Sequence, residues 1–157
     1  MCNRMWLCGM FLAGLAVGPL VMGHVAAQGK QTSRRAIKAT GAAANLPFSE
    51  GIVVGDTLYV AGHIGTDPIT GMAPADVNQE IKFLLDGFKT TLKEGGMTMD
   101  DLVSVQVYCT DLSLYEKFNA AYAASFKKEF PARMFVGAGS LLRNGHFEMM
   151  GIAVKRE

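Results

Sequence analysis

The sequence predicts a two-layer α+β domain, in which one mixed β-sheet carries two helices on one of its faces. Short apolar segments with the alternation of strands occur before, between and after two longer segments with helical spacing. Turn residues separate these segments and give the order β, β, β, α, β, α, β, β. With 157 residues, the chain is long enough for one domain with one core.

Residues 1–27 differ from the rest and predict a cleaved secretory signal peptide. Arg4 is the only charge before Lys30, and residues 5–22 are continuously apolar, small or proline. Val25-Ala26-Ala27 then places small residues where a signal peptidase requires them. The alternative is an uncleaved anchor, because the run is near the lower length limit for a membrane-spanning helix. With cleavage, we expect an exported protein, periplasmic or secreted.

Residues 28–157, the predicted mature domain, carry no net formal charge. Cleavage removes Arg4 from fifteen basic residues and leaves fourteen basic against fourteen acidic ones. This balance gives no electrostatic footprint for nucleic acid, and it does little to keep copies of the chain apart. Cys109 is the one cysteine that remains, which excludes a disulfide within the chain. We interpret it as a buried, inert thiol, because no local motif activates it.

The first half of the domain begins with strands. Residues 28–38 are polar and basic, and we expect them to fray before a first short strand. Apolar residues 52–54 and 58–61 flank Gly55-Asp56, which predicts a β-hairpin. The Asp-Pro and Thr-Gly pairs of residues 62–71 predict a turn-rich loop.

The first helix has a clear start, face and end. Asp76 opens it, with Gln79 as the expected capping-box partner, and Gly95-Gly96 ends it. Its apolar residues share one face: Ile81, Leu84, Leu85, Phe88 and Leu92. The strand that follows alternates, with Val103, Val105, Val107 and Cys109 expected on one side.

The second helix is expected to begin at Ser113, capped together with Glu116, and to end before Pro131. Its predicted buried stripe is aromatic: Tyr115, Phe118, Tyr122 and Phe126. Asn119 lies within this stripe, and a buried amide needs partners. It either caps a neighbouring backbone or faces a site at the domain edge.

The last two predicted strands carry Arg133 and Glu148 among apolar residues, where charges are costly unless they are paired or used. Arg133 could bind a carboxylate through two parallel hydrogen bonds, and a shielded Glu148 could move protons near neutral pH. The alternative is a structural ion pair. The spacing leaves it open, since a turn near residues 140–141 would place the two opposite each other and a type I′ turn at Asn144-Gly145 would not.

Several short motifs follow one another along residues 61–148. They are Ala61-Gly62-His63-Ile64 with Asp67-Pro68-Ile69-Thr70-Gly71, Gly95-Gly96 with Asp100-Asp101-Leu102-Val103, Val107-Tyr108 with Asp111, Phe118-Asn119-Ala120-Ala121-Tyr122, and Pro131-Ala132-Arg133 with Glu148. In order and spacing they resemble the RidA family (also called YjgF/UK114), the enamine/imine deaminases. The resemblance covers nearly the whole mature chain.

This resemblance implies a fold like that of bacillus-type chorismate mutase, and a homotrimer whose subunits cover the open sheet face and form clefts between them. It implies a hydrolase of the 2-iminobutanoate/2-iminopropanoate deaminase type, which turns 2-imino or enamino acids into 2-oxo acids and ammonia. Arg133 would anchor the substrate carboxylate, and Glu148 would position the attacking water. Asn119 and the Gly62 backbone would line the cleft. Neither a metal nor an organic cofactor is implied.

The chain departs from the family pattern at positions that would line the cleft. Phe48 replaces a tyrosine, Ala61 replaces a serine, and Phe135 replaces a small Thr or Cys, so the predicted cleft is more apolar and reshaped. His63 replaces a glutamine, and a histidine at a strand end is more often structural than catalytic. These departures leave two hypotheses.

The first hypothesis is an exported deaminase acting on a small carboxylate-bearing imine. The second is a non-catalytic carboxylate-binding or protein-interaction trimer that keeps Arg133 for binding alone. Ribonuclease activity, described for some members of the family, is disfavoured by the near-neutral charge and the lack of basic patches. Membrane contact is expected only through the signal segment, if it stays uncleaved.

Overall fold

The computed structural model describes residues 33–38, 46–127 and 129–156, so the predicted signal segment lies outside the described residues. Within them, the chain forms six strands and two α-helices in the predicted order. These elements are β1 Arg34–Ile37, β2 Gly51–Val54, β3 Thr57–Ile64, α1 Val77–Glu94, β4 Leu102–Cys109, α2 Tyr115–Ala123, β5 Ala132–Gly137 and β6 Phe147–Val154. None of the helices in this part of the chain is both long and apolar enough to cross a membrane.

All the strands belong to one mixed sheet, with the order β1-β2-β3-β6-β4-β5. Among the six described strands only β4 and β5 pair in parallel, and α2 forms the crossover between them. The other neighbours pair antiparallel. The α+β class with one mixed sheet and two helices is therefore confirmed.

The core lies between the helices and one face of the sheet. Phe88 of α1 and Phe118 of α2 are fully buried there, together with Phe147 and Met149 of β6. The rings of Phe118 and Phe147 lie 4.9 Å apart, which joins α2 to the middle of the sheet. The opposite face carries half-exposed apolar side chains: Tyr59, Met134, Met150 and Val154. In a single chain, that face of the sheet is not covered by the helices.

Helix α1 follows its prediction closely. The carboxylate of Asp76 caps it by accepting a hydrogen bond from the backbone N–H of Asn78, rather than from the third helical residue as in a capping box. Gly96, with φ of 76°, turns the chain at the other end, a conformation that favours glycine. Each of the five apolar residues expected on the inner face is buried.

Helix α2 differs from its prediction at both ends. It begins at Tyr115, after a 3-10 turn that Asp111 caps by accepting from the backbone N–H of Ser113. The side chain of Asp111, one residue before that turn, is therefore the cap, in place of the predicted Ser113. The helix ends at Ala123, well before Pro131. Phe126 lies beyond it in irregular chain and still packs on Tyr122, with ring centroids 4.8 Å apart.

Three other predictions were wrong. β1 lies at Arg34–Ile37, inside the segment expected to fray. Val103 is exposed, because a β-bulge leaves it without a partner and puts Leu102 in the core instead. β5 and β6 do not form a hairpin at either expected turn, since β4 lies between them.

Candidate active site

Arg133 lies on the edge strand β5, opposite Val105 of β4. Its side chain points to the helix side of the sheet, where its Nη2 donates a 2.7 Å hydrogen bond to Oδ1 of Asn119 on α2. Asn119 is half-buried, one residue after the fully buried Phe118. Helix packing therefore fixes the amide, and the amide orients the guanidinium.

Aromatic rings surround the same guanidinium. Its Cζ lies 4.6 Å from the ring centroid of Tyr122, 5.8 Å from that of Tyr115 and 5.6 Å from that of Phe135. At these distances a cation is attracted to the ring face. Phe135 itself packs edge-on against Tyr115 at 4.9 Å and against Phe118 at 5.5 Å. Phe135 thus fills space beside Arg133 that a Thr or Cys would leave open.

The described part of the chain provides no acidic partner for Arg133. All the salt bridges in the described residues join other side chains, and the one hydrogen bond that the guanidinium makes there goes to neutral Asn119. A guanidinium has five N–H donors in a fork that matches a carboxylate. Arg133 therefore keeps donors available for an anionic ligand.

Glu148 lies on β6 between Phe147 and Met149, which are fully buried against the helices. Because side chains alternate along a strand, Glu148 faces the other side of the sheet. It lies opposite Ile64 of β3 and Tyr108 of β4. The two charged residues therefore lie on opposite faces, with β4 between their strands, and they do not form the structural ion pair.

Gly62 lies directly beside Glu148. A Cβ at position 62 would overlap Oε1 of the carboxylate, so glycine is what permits this close approach. A bulge in β3 creates the arrangement. Between the pairs Val60–Gly151 and His63–Met149, two residues of β3 lie opposite a single residue of β6. The extra residue turns Gly62 to the open face and His63 inward.

His63 is built into the core side of the sheet. One ring nitrogen lies 2.9 Å from the carbonyl oxygen of Ala61, and the other lies 2.9 Å from Oγ1 of Thr91 and 3.3 Å from Oε2 of Glu50. Its ring also packs edge-on against Phe88. Every ring nitrogen therefore has a partner within the chain, as in a structural histidine.

The structure thus divides the predicted site residues into two groups. Arg133, Asn119 and Phe135 lie together on the helix side of β5, and Glu148 and Gly62 lie together on the open face. Ala61 lies at the bulge of β3, next to Gly62. Phe48 lies in the loop before β2 and is 51% exposed. One chain alone does not bring the arginine and the glutamate to the same side.

Sequence reasoning missed Glu80, a carboxylate with no solvent exposure on α1. Its Oε1 accepts backbone N–H bonds from His146 at 2.6 Å and Phe147 at 3.0 Å, and its Oε2 lies 2.6 Å from Nδ1 of His146. It therefore fixes the start of β6, directly before Glu148. The signal in the sequence was an acid one residue before Ile81, at the edge of the apolar face of α1.

Tyr122, under the guanidinium, is buried, and its hydroxyl has no hydrogen-bond partner in the described residues. Burial raises its pKa to about 12, although the nearby Arg133 acts in the opposite direction. The phenol is therefore neutral at physiological pH. Burial also raises the pKa of Cys109, whose thiol donates to the carbonyl oxygen of Asp111, so it is not activated as a nucleophile.

Metal ligands do not cluster in the described residues, where no three His, Cys, Asp or Glu side chains are grouped to hold an ion. The site residues supply an oriented cation on one face of the sheet, a carboxylate on the other face, and aromatic walls around the cation. Such groups can bind an organic carboxylate and transfer protons.

The described chain is an α+β domain in which one mixed sheet carries two helices. Residues 36–155 match the family model described as Endoribonuclease L-PSP, and the chain belongs to this family, the RutC/RidA family. The family resemblance expected from the sequence is therefore confirmed.

Named relatives and a solved structure support the same family. A RutC family protein of Pyrococcus abyssi is 36% identical over 110 residues, which cover 69% of this chain and 87% of the relative. The 2-iminobutanoate/2-iminopropanoate deaminase of Escherichia coli is 33% identical over 113 residues, which cover 70% of this chain and 88% of the relative. The crystal structure of the YjgF gene product of E. coli aligns with a TM-score of 0.67 and 32% identity, covering 77% of this chain and 94% of that one.

Proposed function

We propose that this chain is a hydrolase that converts 2-imino acids into 2-oxo acids and ammonia, in clefts shared between the subunits of a homotrimer. The observation that carries the proposal is the set of contacts around the Arg133 side chain. It is oriented by Asn119 and flanked by aromatic rings, and it has no acidic partner in the described residues. A partly buried cation of this kind is suited to an anionic ligand. The relatives named imine deaminases supply the reaction class.

In the proposed reaction, Arg133 holds the substrate carboxylate and Glu148 takes a proton from a water molecule. The oxygen of that water bonds to the imine carbon as the C=N electron pair moves to nitrogen, and Glu148 passes its proton to that nitrogen, which gives a carbinolamine. Glu148 then takes the proton of the new hydroxyl group and delivers it to the amino nitrogen as the C–N bond breaks. The carbonyl forms, ammonia leaves, and one imine and one water give one 2-oxo acid and one ammonia.

Two features of the fold support a site shared between subunits. Arg133 and Glu148 lie on opposite faces of one sheet, so a second copy is required to bring an arginine to a glutamate. The open face, on which Glu148 lies, also carries half-exposed apolar side chains at Tyr59 and Met150. Burying apolar surface of this kind favours association.

Complementation between two inactive variants tests the shared site. Arg133→Ala and Glu148→Gln are each expected to be inactive alone. When the two are refolded together in equal amounts, about one quarter of the shared clefts should contain both native residues, with a matching share of wild-type activity. Absence of any recovery in mixed trimers would show that the two residues do not act in one shared cleft. Light scattering on the same samples establishes whether trimers form, and a stable monomer at micromolar concentration would contradict the assembly.

A second candidate is a trimer of the same fold that binds carboxylates or a protein partner without catalysis. Phe135 favours it, because its ring fills space beside Arg133. Phe48 favours it as well, because it has no hydroxyl to offer a substrate. The two functions are separated by imine hydrolysis measured on wild type and on the double variant Phe48→Tyr/Phe135→Thr. If neither exceeds the buffer rate while 2-oxo acids still bind, the binding function is the correct one.

We further propose that residues 1–27 direct export and that the mature chain begins near Gln28. The support is the charge and apolar pattern of that segment, which lies outside the described residues. Mass spectrometry of the native protein gives the test. A mature mass starting near Gln28 in an extracytoplasmic fraction is expected, and an intact Met1 in soluble cytoplasm would contradict export.

A further inference from the structure

A cavity of about 280 Å³ lies between the end of α2 and the chain that enters β5. Its walls combine two polar residues with an aromatic and aliphatic surface: Asn119, Tyr122, Ala123, Phe130, Pro131 and Arg133. The cavity is therefore continuous with the carboxylate-binding arginine.

The polar groups of the cavity come from the first group of site residues. The amide of Asn119 holds the Arg133 guanidinium at 2.7 Å, and the Tyr122 ring lies 4.6 Å from its Cζ. A carboxylate bound to the free donors of Arg133 would therefore have apolar surface next to it. Ligand sites commonly combine a few polar anchors with such apolar walls.

The apolar wall is accessible. Phe130 is 62% exposed, and its ring is supported by Phe126, with ring centroids 5.4 Å apart. Pro131 and Ala123 complete this side, and neither has a polar side-chain group. An exposed aromatic ring at the side of a cavity offers a surface on which a second ring can pack.

Size then limits the ligand. An apolar cavity of about 150 Å³ accepts a benzene molecule. The cavity beside Arg133 is larger than that, so it has room for a six-membered ring together with the carbons that join the ring to a carboxylate. A methyl or ethyl side chain would leave most of it to water.

We propose that this cavity receives the side chain of the substrate and that the site favours aromatic 2-imino and 2-oxo acids over those with small side chains. This inference rests on the proposed function for the reaction, and on the cavity for the choice of substrate. The carboxylate is held by Arg133, and the ring packs against Tyr122, Ala123 and Phe130.

Calorimetry with the whole protein and two product-like probes tests the preference. Phenylpyruvate is expected to bind about tenfold or more tightly than pyruvate, because its ring buries apolar surface. Ala123→Leu fills the cavity and should weaken phenylpyruvate binding about tenfold while it leaves pyruvate binding within about twofold. The matched control is Ala120→Leu, an exposed alanine of the same helix that does not line the cavity, which should change neither affinity.

The outcomes separate this inference from the proposed function. If small imines are hydrolysed but phenylpyruvate binds no better than pyruvate, the substrate preference is overturned and the deaminase function stands. If phenylpyruvate binds tightly and Ala123→Leu weakens it selectively, but no imine is hydrolysed, the preference stands and the deaminase function fails. Equal effects of Ala123→Leu on both probes, or loss of the trimer in that variant, would show that the cavity serves the fold or the assembly rather than a side chain.

Discussion

Glu80 of α1 and Phe147 of β6 are joined by a 3.0 Å hydrogen bond between a fully buried carboxylate and a backbone N–H. The same carboxylate oxygen accepts from the N–H of His146, so one side chain satisfies two donors at the start of β6. Glu148 follows immediately. We infer that Glu80 fixes the strand that presents the candidate catalytic carboxylate.

Removing this carboxylate should therefore destabilise the fold. Glu80→Ala leaves one buried and one partly buried N–H group without an acceptor and should lower the free energy of unfolding by about 2–5 kcal/mol. Glu80→Gln keeps an acceptor oxygen and should cost less. Urea unfolding of both variants measures the difference, and a loss below about 0.5 kcal/mol in Glu80→Ala would contradict the anchoring role.

Arg133 and Glu148 should fail in different ways. Arg133→Ala should weaken binding of a 2-oxo acid by about 2–5 kcal/mol, with only partial rescue by Arg133→Lys, because lysine cannot form the paired contact. Glu148→Gln should lower turnover by about 10²–10⁴-fold and leave 2-oxo acid binding in place. Calorimetry and steady-state kinetics on the same preparations distinguish the two effects. Equal losses of binding in both variants would show that the roles are not separate.

Gly62→Ala should reduce activity without unfolding the chain. The added Cβ would overlap Oε1 of Glu148, the mobile end of a side chain, so the carboxylate shifts and the backbone does not. Turnover should fall at least about tenfold, while the free energy of unfolding should change by less than about 1 kcal/mol. Gly139→Ala is the matched control, since a Cβ there meets no atom of the described residues within 4 Å. Full activity in Gly62→Ala would separate Glu148 from the reaction.

The buried phenol of Tyr122 predicts a loss of stability in alkali. Its pKa is raised from 10.0 to about 12 in the folded chain. A raised pKa means that the folded state keeps its proton while the unfolded state releases it, so stability falls as the pH rises from about 10 to about 12. Tyr122→Phe should remove this part of the pH dependence, measured by urea unfolding at about pH 9 and about pH 11.

At neutral pH, Tyr122→Phe should leave stability unchanged or raise it by about 1 kcal/mol, because the hydroxyl has no partner in the described residues. A clear loss of stability in the assembled protein would show that a second copy supplies a partner for this hydroxyl.

Much of the fold follows from local patterns in the sequence. Asp76 and the five apolar residues of α1 predict that helix well, because capping and helical periodicity act within a few residues. The hairpin around Gly55-Asp56 is similarly local. By contrast, the strands that pair with β5 and β6 cannot be predicted from local patterns, because the pairing of distant strands depends on the whole sheet. The structure places β4 between them, where the sequence had suggested a hairpin.

The sequence singles out candidate site residues, whose roles stay predictions, but it does not give their geometry. Arg133 and Glu148 are conspicuous because charges among apolar residues are costly. Their separation onto opposite faces of the sheet depends on the order in which the strands pair, and no short sequence motif predicts that order. Glu80 was missed because its acceptor role involves backbone groups 66 and 67 residues away. Aromatic contacts around Arg133 likewise depend on how α2 crosses over the sheet.

The bulge in β3 makes the length of that strand matter as much as its composition. With the extra residue, the end of β3 puts Gly62 beside Glu148 and His63 beside Phe88. Deleting Ala61 or Gly62 would remove the bulge: a single residue would then lie opposite Met150, His63 would still face inward, and the close approach of Gly62 to Glu148 would be lost. A library of point substitutions would not detect this dependence. A scan of single-residue deletions and insertions would locate it, with the sharpest loss of function at this one register.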